Sequence, residues 1–116
     1  MIVKARTGRS AEPAREVEFL VDTGAFHTVL PPSLIRELGL ETPVTAAATV
    51  ADNRRVTIKI GAAYLQLEGR EGGISIAEMT VPVPLLGVSA LEVLGFKVDP
   101  VARRIEAIRP FGDAVL

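Results

Sequence analysis

The 116-residue sequence contains no cysteine and no tryptophan, and only one histidine and one tyrosine. Without cysteine there is no disulfide framework, no thiolate nucleophile and no cysteine-ligated zinc. One histidine excludes a metal site built on a histidine pair and leaves little room for a Ser-His-Asp triad. An excess of charge of either sign is missing too: 13 Lys and Arg face 14 Asp and Glu, for a net charge of −1. A dedicated nucleic-acid binder would be basic along one face, so no nucleic-acid partner is expected. No apolar run approaches the ~20 residues of a membrane span, so no membrane partner is expected either. The opening Met1-Ile2-Val3 is apolar for only three residues before Lys4, which does not read as a secretory leader. A cytoplasmic location is the default expectation.

What is present is ordinary: 48% hydrophobic and 23% charged residues. That composition folds, and the length suits one domain over residues 1–116, since domains run to ~100–150 residues. The periodicity is mostly two. In 55–67 (RVTIKIGAAYLQL), Val56, Ile58 and Ile60 alternate with Arg55, Thr57 and Lys59. After Gly61 the alternation continues with Tyr64 and Gln66 on one side, so a long strand with a glycine bend is expected. In 17–21, Val17, Phe19 and Val21 share a face. Residues 44–50, 74–81, 83–86 and 104–108 are further strand candidates, with Pro82 and Pro84 marking an irregular lead into 83–86. Turns are expected at Asp52-Asn53, Glu71-Gly72-Gly73 and Asp99-Pro100. One helix is expected over 32–38, with Pro32 in its first turn and Gly39 ending it. A second is expected over 90–94, capped by Ser89 with Glu92 completing a capping box and Gly95 as the stop.

The segment SLIRELGL at 33–40 is echoed by SALEVLGF at 89–96. Each copy follows a hydrophobic strand that ends in glycine, VDTG at 21–24 and PLLG at 84–87. Two similar strand–turn–helix halves predict a β-barrel with pseudo-two-fold symmetry. Two short helices with the same cap-and-stop chemistry would give the same echo.

The chemistry sits at Val21-Asp22-Thr23-Gly24-Ala25, where a carboxylate ends an apolar strand. Burying an ionised carboxylate is costly unless it is hydrogen-bonded or paired. Gly24 lets backbone amides approach the carboxylate, and Thr23 adds a hydroxyl. Alone, the tripeptide is equally at home as a strand-to-turn transition.

With its context, VDTGAFHTVLP at 21–31 followed by PLLGVSALEVLGFKVD at 84–99, the chain resembles the retropepsin-like aspartic proteases, single-domain homodimeric relatives of pepsin that include the retroviral proteases. The resemblance covers about residues 15–105: the Asp-Thr-Gly-Ala, then Thr28-Val29-Leu30, a hairpin in the middle, and Leu85-Leu86-Gly87 leading into a helix. It implies an all-β fold, a closed acid-protease barrel with one or two short helices and a flap hairpin. It implies an aspartic endopeptidase that hydrolyses a peptide or protein substrate and needs no metal or other cofactor. Asp22 would be the catalytic carboxylate, supported by Thr23, Gly24 and Ala25. One motif per chain makes a homodimer necessary, in which two carboxylates share one proton. His27 would line a substrate subsite, although a lone histidine near a strand end is more often a packed or surface residue. The flap would be the hairpin around Thr49–Val56, tipped by Asp52-Asn53-Arg54. Val50, Ala51, Asp52 and Asn53 from the flap, with Leu86 and Gly87, would contact substrate. Met1–Lys4 and the tail Phe111–Leu116, apolar at Phe111, Val115 and Leu116, would contribute to the dimer interface.

Two departures stand out. Retroviral flaps are glycine-rich, whereas here no glycine falls between Gly39 and Gly61, and Asn53 is the residue best suited to a left-handed turn. The retroviral ion pair beside the active site, an acid after the Ala and an Arg after the late Gly, is replaced by Phe26 and Val88. Arg54 and Arg55 read as a solvated turn. The alternative function is a retropepsin-like barrel used as a dimerisation or peptide-binding module with little or no peptidase activity.

Overall fold

The computed structural model describes residues 1–50 and 52–111; the expected substrate contact at Ala51 and the tail residues Val115 and Leu116 lie outside them. Strand β1 (Ile2–Gly8) pairs antiparallel with β2 (Ala14–Asp22), from Ile2↔Leu20 to Gly8↔Ala14. Strands β3 (Thr28–Leu30) and β4 (Val44–Thr49) flank helix α1 (Pro32–Glu37) in sequence. The long β5 (Arg55–Leu67) and β6 (Arg70–Glu78) form a hairpin, followed by β7 (Leu85–Gly87) and helix α2 (Val88–Leu94). A separate two-stranded ribbon, β8 (Phe96–Asp99) with β9 (Arg104–Ala107), completes the described chain.

The main sheet runs β1-β2-β7-β3-β6-β5-β4, and β1 also pairs with β5. That second pairing, at Arg6↔Gln66, Thr7↔Leu65 and Gly8↔Tyr64, closes six strands into a barrel and leaves β4 outside as one arm of a hairpin. At the seam the buried Thr7 hydroxyl donates to the Tyr64 carbonyl at 2.7 Å, so its polar group is satisfied. The barrel is filled by alternate residues of each strand, among them Phe19, Leu30, Leu65, Leu67, Ile74, Ile76 and Leu86, capped by Leu91 and Leu94 of α2. Each such side chain contributes about 1.5–3 kcal/mol by leaving water. No helix among the described residues is long and apolar enough to cross a membrane.

The buried face of β5 changes at Gly61. Ile58 is buried on one side of it, and Ala63, Leu65 and Leu67 are buried on the other face beyond it, with the register to β6 unbroken. Glycine is required there, because a Cβ would lie 2.0 Å from the Glu41 carbonyl oxygen. The first half of β5 thus leaves the barrel with β4, and the second half lines it.

Two expected local features are corrected. Glu71, Gly72 and Gly73 do not form a turn; they are inside β6, paired with Gln66, Leu65 and Tyr64. The turn is Glu68-Gly69, with φ of 51° and 76°. Left-handed backbone at both central residues gives the two-residue hairpin whose twist matches the strands. Ser89 does not cap α2, which begins at Val88 with Gly87 as its N-cap and no side-chain cap. Its first-turn N–H groups are taken by a distant loop: Val88 donates to the Ala25 carbonyl at 2.8 Å and Ser89 to that of Phe26 at 3.1 Å. Loop carbonyls therefore do what a capping side chain would do.

The internal echo is structural. Ile35 and Leu91 are buried at matched places, Gly39 and Gly95 are left-handed at φ of 66° and 77°, and Leu40 and Phe96 are buried beyond them. At Asp99-Pro100 the Asp99 carboxylate accepts the N–H groups of Val101 at 3.0 Å and Ala102 at 3.1 Å. The Ala102 bond above all holds that carboxyl below its ordinary range.

Candidate active site

Strand β7 lies between β2 and β3, parallel to one and antiparallel to the other. The loop 23–27 that joins β2 to β3 must therefore cross the end of β7. The register sets Asp22 beside Gly87 and Val29 beside Leu85. Residues separated by more than half the chain, the Asp-Thr-Gly-Ala and the late Leu-Gly, thus become neighbours.

Asp22 is half-buried, and Thr23 and Gly24 are exposed. The Gly24 N–H donates to Asp22 Oδ1 at 3.0 Å, and the Ala25 N–H donates to the Asp22 carbonyl at 3.1 Å. A Cβ on Gly24 would lie 3.3 Å from Oδ1, tighter than most side chains tolerate. Among the described residues Oδ2 and the Thr23 hydroxyl take no hydrogen bond. The far side of the loop is held hard. Beyond the two α2 amides, Ser89 Oγ donates to the Phe26 carbonyl, and the Gly87 N–H donates to the fully buried Thr28 Oγ1 at 3.2 Å. Gly87 admits no side chain, since a Cβ would sit 2.3 Å from the His27 carbonyl oxygen and 2.6 Å from that of Phe26.

Leu86 needs correcting as a substrate contact. It is 0% exposed and packs in the barrel core, and Gly87 is buried beside it, so the single chain offers neither to a ligand. Strand alternation explains this: at β7 the side chain of Leu86 points inward. Both residues support the loop from beneath.

His27 is half-buried, its Nδ1 2.7 Å from Ser75 Oγ, with the Phe26 ring edge-on at 5.0 Å and 88°. The parallel pairing of β3 with β6 brings Ser75 there, a contact across 48 residues with no local signal. Beside them Val29, Ile58 and Ala77 are buried but stand outside the barrel's core cluster. They form an apolar floor where the β4–β5 hairpin joins the barrel.

At the hairpin tip Val50 donates to the Arg54 carbonyl and Asn53 to the Val50 carbonyl, both at 2.9 Å. Asn53 is left-handed with φ of 67°, and Arg54 Nε pairs with Asp52 Oδ2 at 2.6 Å in solvent. An exposed pair of this kind is worth about 0–1 kcal/mol. Met1 and β1 belong to the barrel: the Met1 carbonyl accepts the Val21 N–H at 2.9 Å, and β1 pairs with β2 along its length. Phe26, where the retroviral acid would stand, is 61% exposed. A surface groove of about 590 Å³ lies away from Asp22, at the hairpin's base between Arg9, Leu40, Pro43, Val44 and Ile60.

A family model described as gag-polyprotein putative aspartyl protease matches residues 13–93, from the start of β2 to the last turn of α2. No curated protein matches the chain. The matched span holds the Asp-Thr-Gly-Ala loop, the hairpin and the Leu85-Leu86-Gly87 strand in the order the barrel uses them, and the chain belongs to this retropepsin-like aspartyl protease family.

Proposed function

We propose that the chain is an aspartic endopeptidase, a single domain over 1–116 that works as a homodimer. The observation that carries this reading is the state of Asp22. It is tied to its own chain through Oδ1 and the loop behind it, and its Oδ2 takes no partner among the described residues. A carboxylate held this way has one face committed and one face available. Each chain has one Asp-Thr-Gly, so a second carboxylate must come from a second chain.

Two Asp22 side chains brought together cannot both be ionised at low cost, so the pair holds one proton. The ionised member takes a proton from a water between them while the water oxygen attacks the peptide carbonyl carbon. The protonated member gives its proton to the carbonyl oxygen, forming a gem-diol. In the collapse the carboxyl that took the water's proton gives it to the amide nitrogen, the other carboxylate takes a proton from a gem-diol hydroxyl, and the C–N bond breaks to leave an acid and an amine, with one proton again on the pair. Thr23 would bond across the two-fold axis, Gly24 would keep the carboxylate open to water, and Ala25 would leave room for substrate. The hairpin residues Val50, Ala51, Asp52 and Asn53 would cover an extended peptide lying above His27, with main-chain hydrogen bonds giving affinity.

The test is incubation of the purified protein with an unfolded protein at mildly acidic pH, beside Asp22→Asn. Cleavage by the wild type alone is expected. If the wild type is a dimer and cuts nothing, the barrel is a dimerisation or peptide-binding module.

A further inference from the structure

Resting on the peptidase reading, we propose that the His27–Ser75 pair selects peptides carrying a carboxylate side chain, glutamate or aspartate, at the position above the floor beneath the β4–β5 hairpin.

The argument begins with register. Thr28 pairs with Ile76 across the parallel β3–β6 ladder, and both are fully buried in the barrel. Their neighbours His27 and Ser75 therefore share the opposite face. Ser75 pairs onward with Ala62, which makes one row; Val29, Ala77 and Ile60 make the next. The face continues onto the hairpin through Ile58 and Val56, opposite Ala46 and Ala48. Toward the hairpin it is small and apolar apart from the imidazole and the hydroxyl; in the other direction the same face carries Gly73, Tyr64 and Glu71, with the Tyr64 hydroxyl donating to the Glu71 carboxylate. The next acid along β6, Glu78, alternates to the other face, where Thr42 bonds it at 3.3 Å and Lys59 stands 4.0 Å away.

The imidazole is aimed. Ser75 Oγ engages Nδ1 at 2.7 Å and the Phe26 ring packs edge-on, which together restrict rotation. The contact suits either tautomer, and the proposal rests on the one in which Ser75 donates to Nδ1 and Nε2 carries the hydrogen; Nε2 takes no partner among the described residues. A half-buried donor at the end of an apolar row is completed by an acceptor on an apolar stem. A carboxylate makes the strongest such bond because it is charge-assisted. An amide is weaker, and a lysine would set donor against donor.

The test separates binding from cleavage. Fluorescein-labelled octapeptides of alanine and valine carry one Glu, Gln or Lys at each central position in turn. Anisotropy titrations use Asp22→Asn, so that no peptide is consumed. At one position Glu is expected to bind about tenfold more tightly than Gln, and Lys most weakly. Adding His27→Ala or Ser75→Ala should bring the Glu-to-Gln ratio within about twofold. Ser75→Ala removes only a hydroxyl and keeps the test available if His27→Ala does not fold. No preference for Glu at any position, a preference that survives both variants, or no binding at all overturns the inference. The peptidase reading is scored separately, by wild-type cleavage of an unfolded protein. Cleavage with no Glu preference refutes the inference alone, and Glu-selective binding without cleavage refutes the peptidase alone.

Discussion

Replacing Gly87 by alanine tests how the Asp22 loop is held, and needs no assumption about catalysis. The added Cβ would lie 2.3 Å from the His27 carbonyl oxygen, 2.4 Å from its carbon and 2.6 Å from the Phe26 oxygen. All three are backbone atoms, so no side chain can swing aside. Reaching ordinary contact near 3.4 Å requires loop and β7 to part by about 1 Å. Three hydrogen bonds cross that contact: Gly87 N–H to Thr28 Oγ1, Val88 N–H to Ala25 and Ser89 N–H to Phe26. Weakening them, at about 0.5–1.5 kcal/mol each, adds to an overpacking cost of about 1–3 kcal/mol. A loss of about 3–5 kcal/mol is expected, large against a total stability of about 5–15 kcal/mol. Urea denaturation at one protein concentration reads it as a lower midpoint with an unchanged slope. The control is Gly73→Ala, where a Cβ meets nothing within 4 Å. There the change should be neutral or mildly stabilising, by up to about 1 kcal/mol. A Gly87→Ala protein within about 1 kcal/mol of wild type, or a Gly73→Ala protein equally damaged, would refute the packing argument.

Asp22→Asn keeps the shape of the carboxylate and removes its charge, so in sedimentation it should form a tighter dimer than wild type at neutral pH. Protonation relieves the same repulsion, so the wild-type dimer should weaken as pH rises from acid to neutral and the variant should not; equal behaviour would mean the two carboxylates never meet. Asp99→Ala should melt below wild type at neutral pH. The Asp99 carboxyl is held below its ordinary range, so its contribution is complete above that range and is lost as pH falls through the depressed value. The melting difference should therefore close on acidification to about pH 2, and a gap that persists would assign the effect to packing. Asn53→Ala places a Cβ residue at φ of 67° without the amide and should cost about 1 kcal/mol, while Asn53→Gly should cost less; equal denaturation midpoints for the two would show that the tip does not hold that conformation.

Much of this arrangement is legible in the chain. The runs read as strands locate β2, β4, β5, the second half of β6, β7 and β9 but not β1, β3 or β8, whose short runs carry little alternation; Gly39 and Gly95 mark the helix ends, and Asn53 stands out as the left-handed residue in a flap without glycine. The misreadings share a cause, which is that distant backbone overrode a local signal. Glu71-Gly72-Gly73 looks like a turn, but nine residue pairs between β5 and β6 draw it into the ladder and leave Glu68-Gly69 to reverse the chain. Ser89 looks like a cap, but the loop carbonyls of Ala25 and Phe26 reach the helix first. Leu86 looks like a site residue because Gly87 follows it, while strand alternation turns it inward. Ser75 is invisible beside His27, because a parallel pairing across 48 residues joins them.

The exchange of the retroviral ion pair for Phe26 and Val88 has a mechanical consequence. A side-chain pair at those positions would tie the loop to α2 through charge, with a strength that falls as salt rises. Here the tie is the backbone itself, from the Val88 and Ser89 amides to the Ala25 and Phe26 carbonyls, with the Ser89 hydroxyl on the latter. Backbone bonds do not depend on which side chains stand at 26 and 88, so the constraint passes to Gly87, where two chain segments touch. Loop geometry should therefore tolerate salt and substitution at 26 and 88 while failing at 87. Phe26, freed from that tie, keeps its ring largely in solvent and edge-on to His27, where it steadies the imidazole. The same two positions that lose a charged clamp thus gain an aromatic wall for the only histidine in the chain.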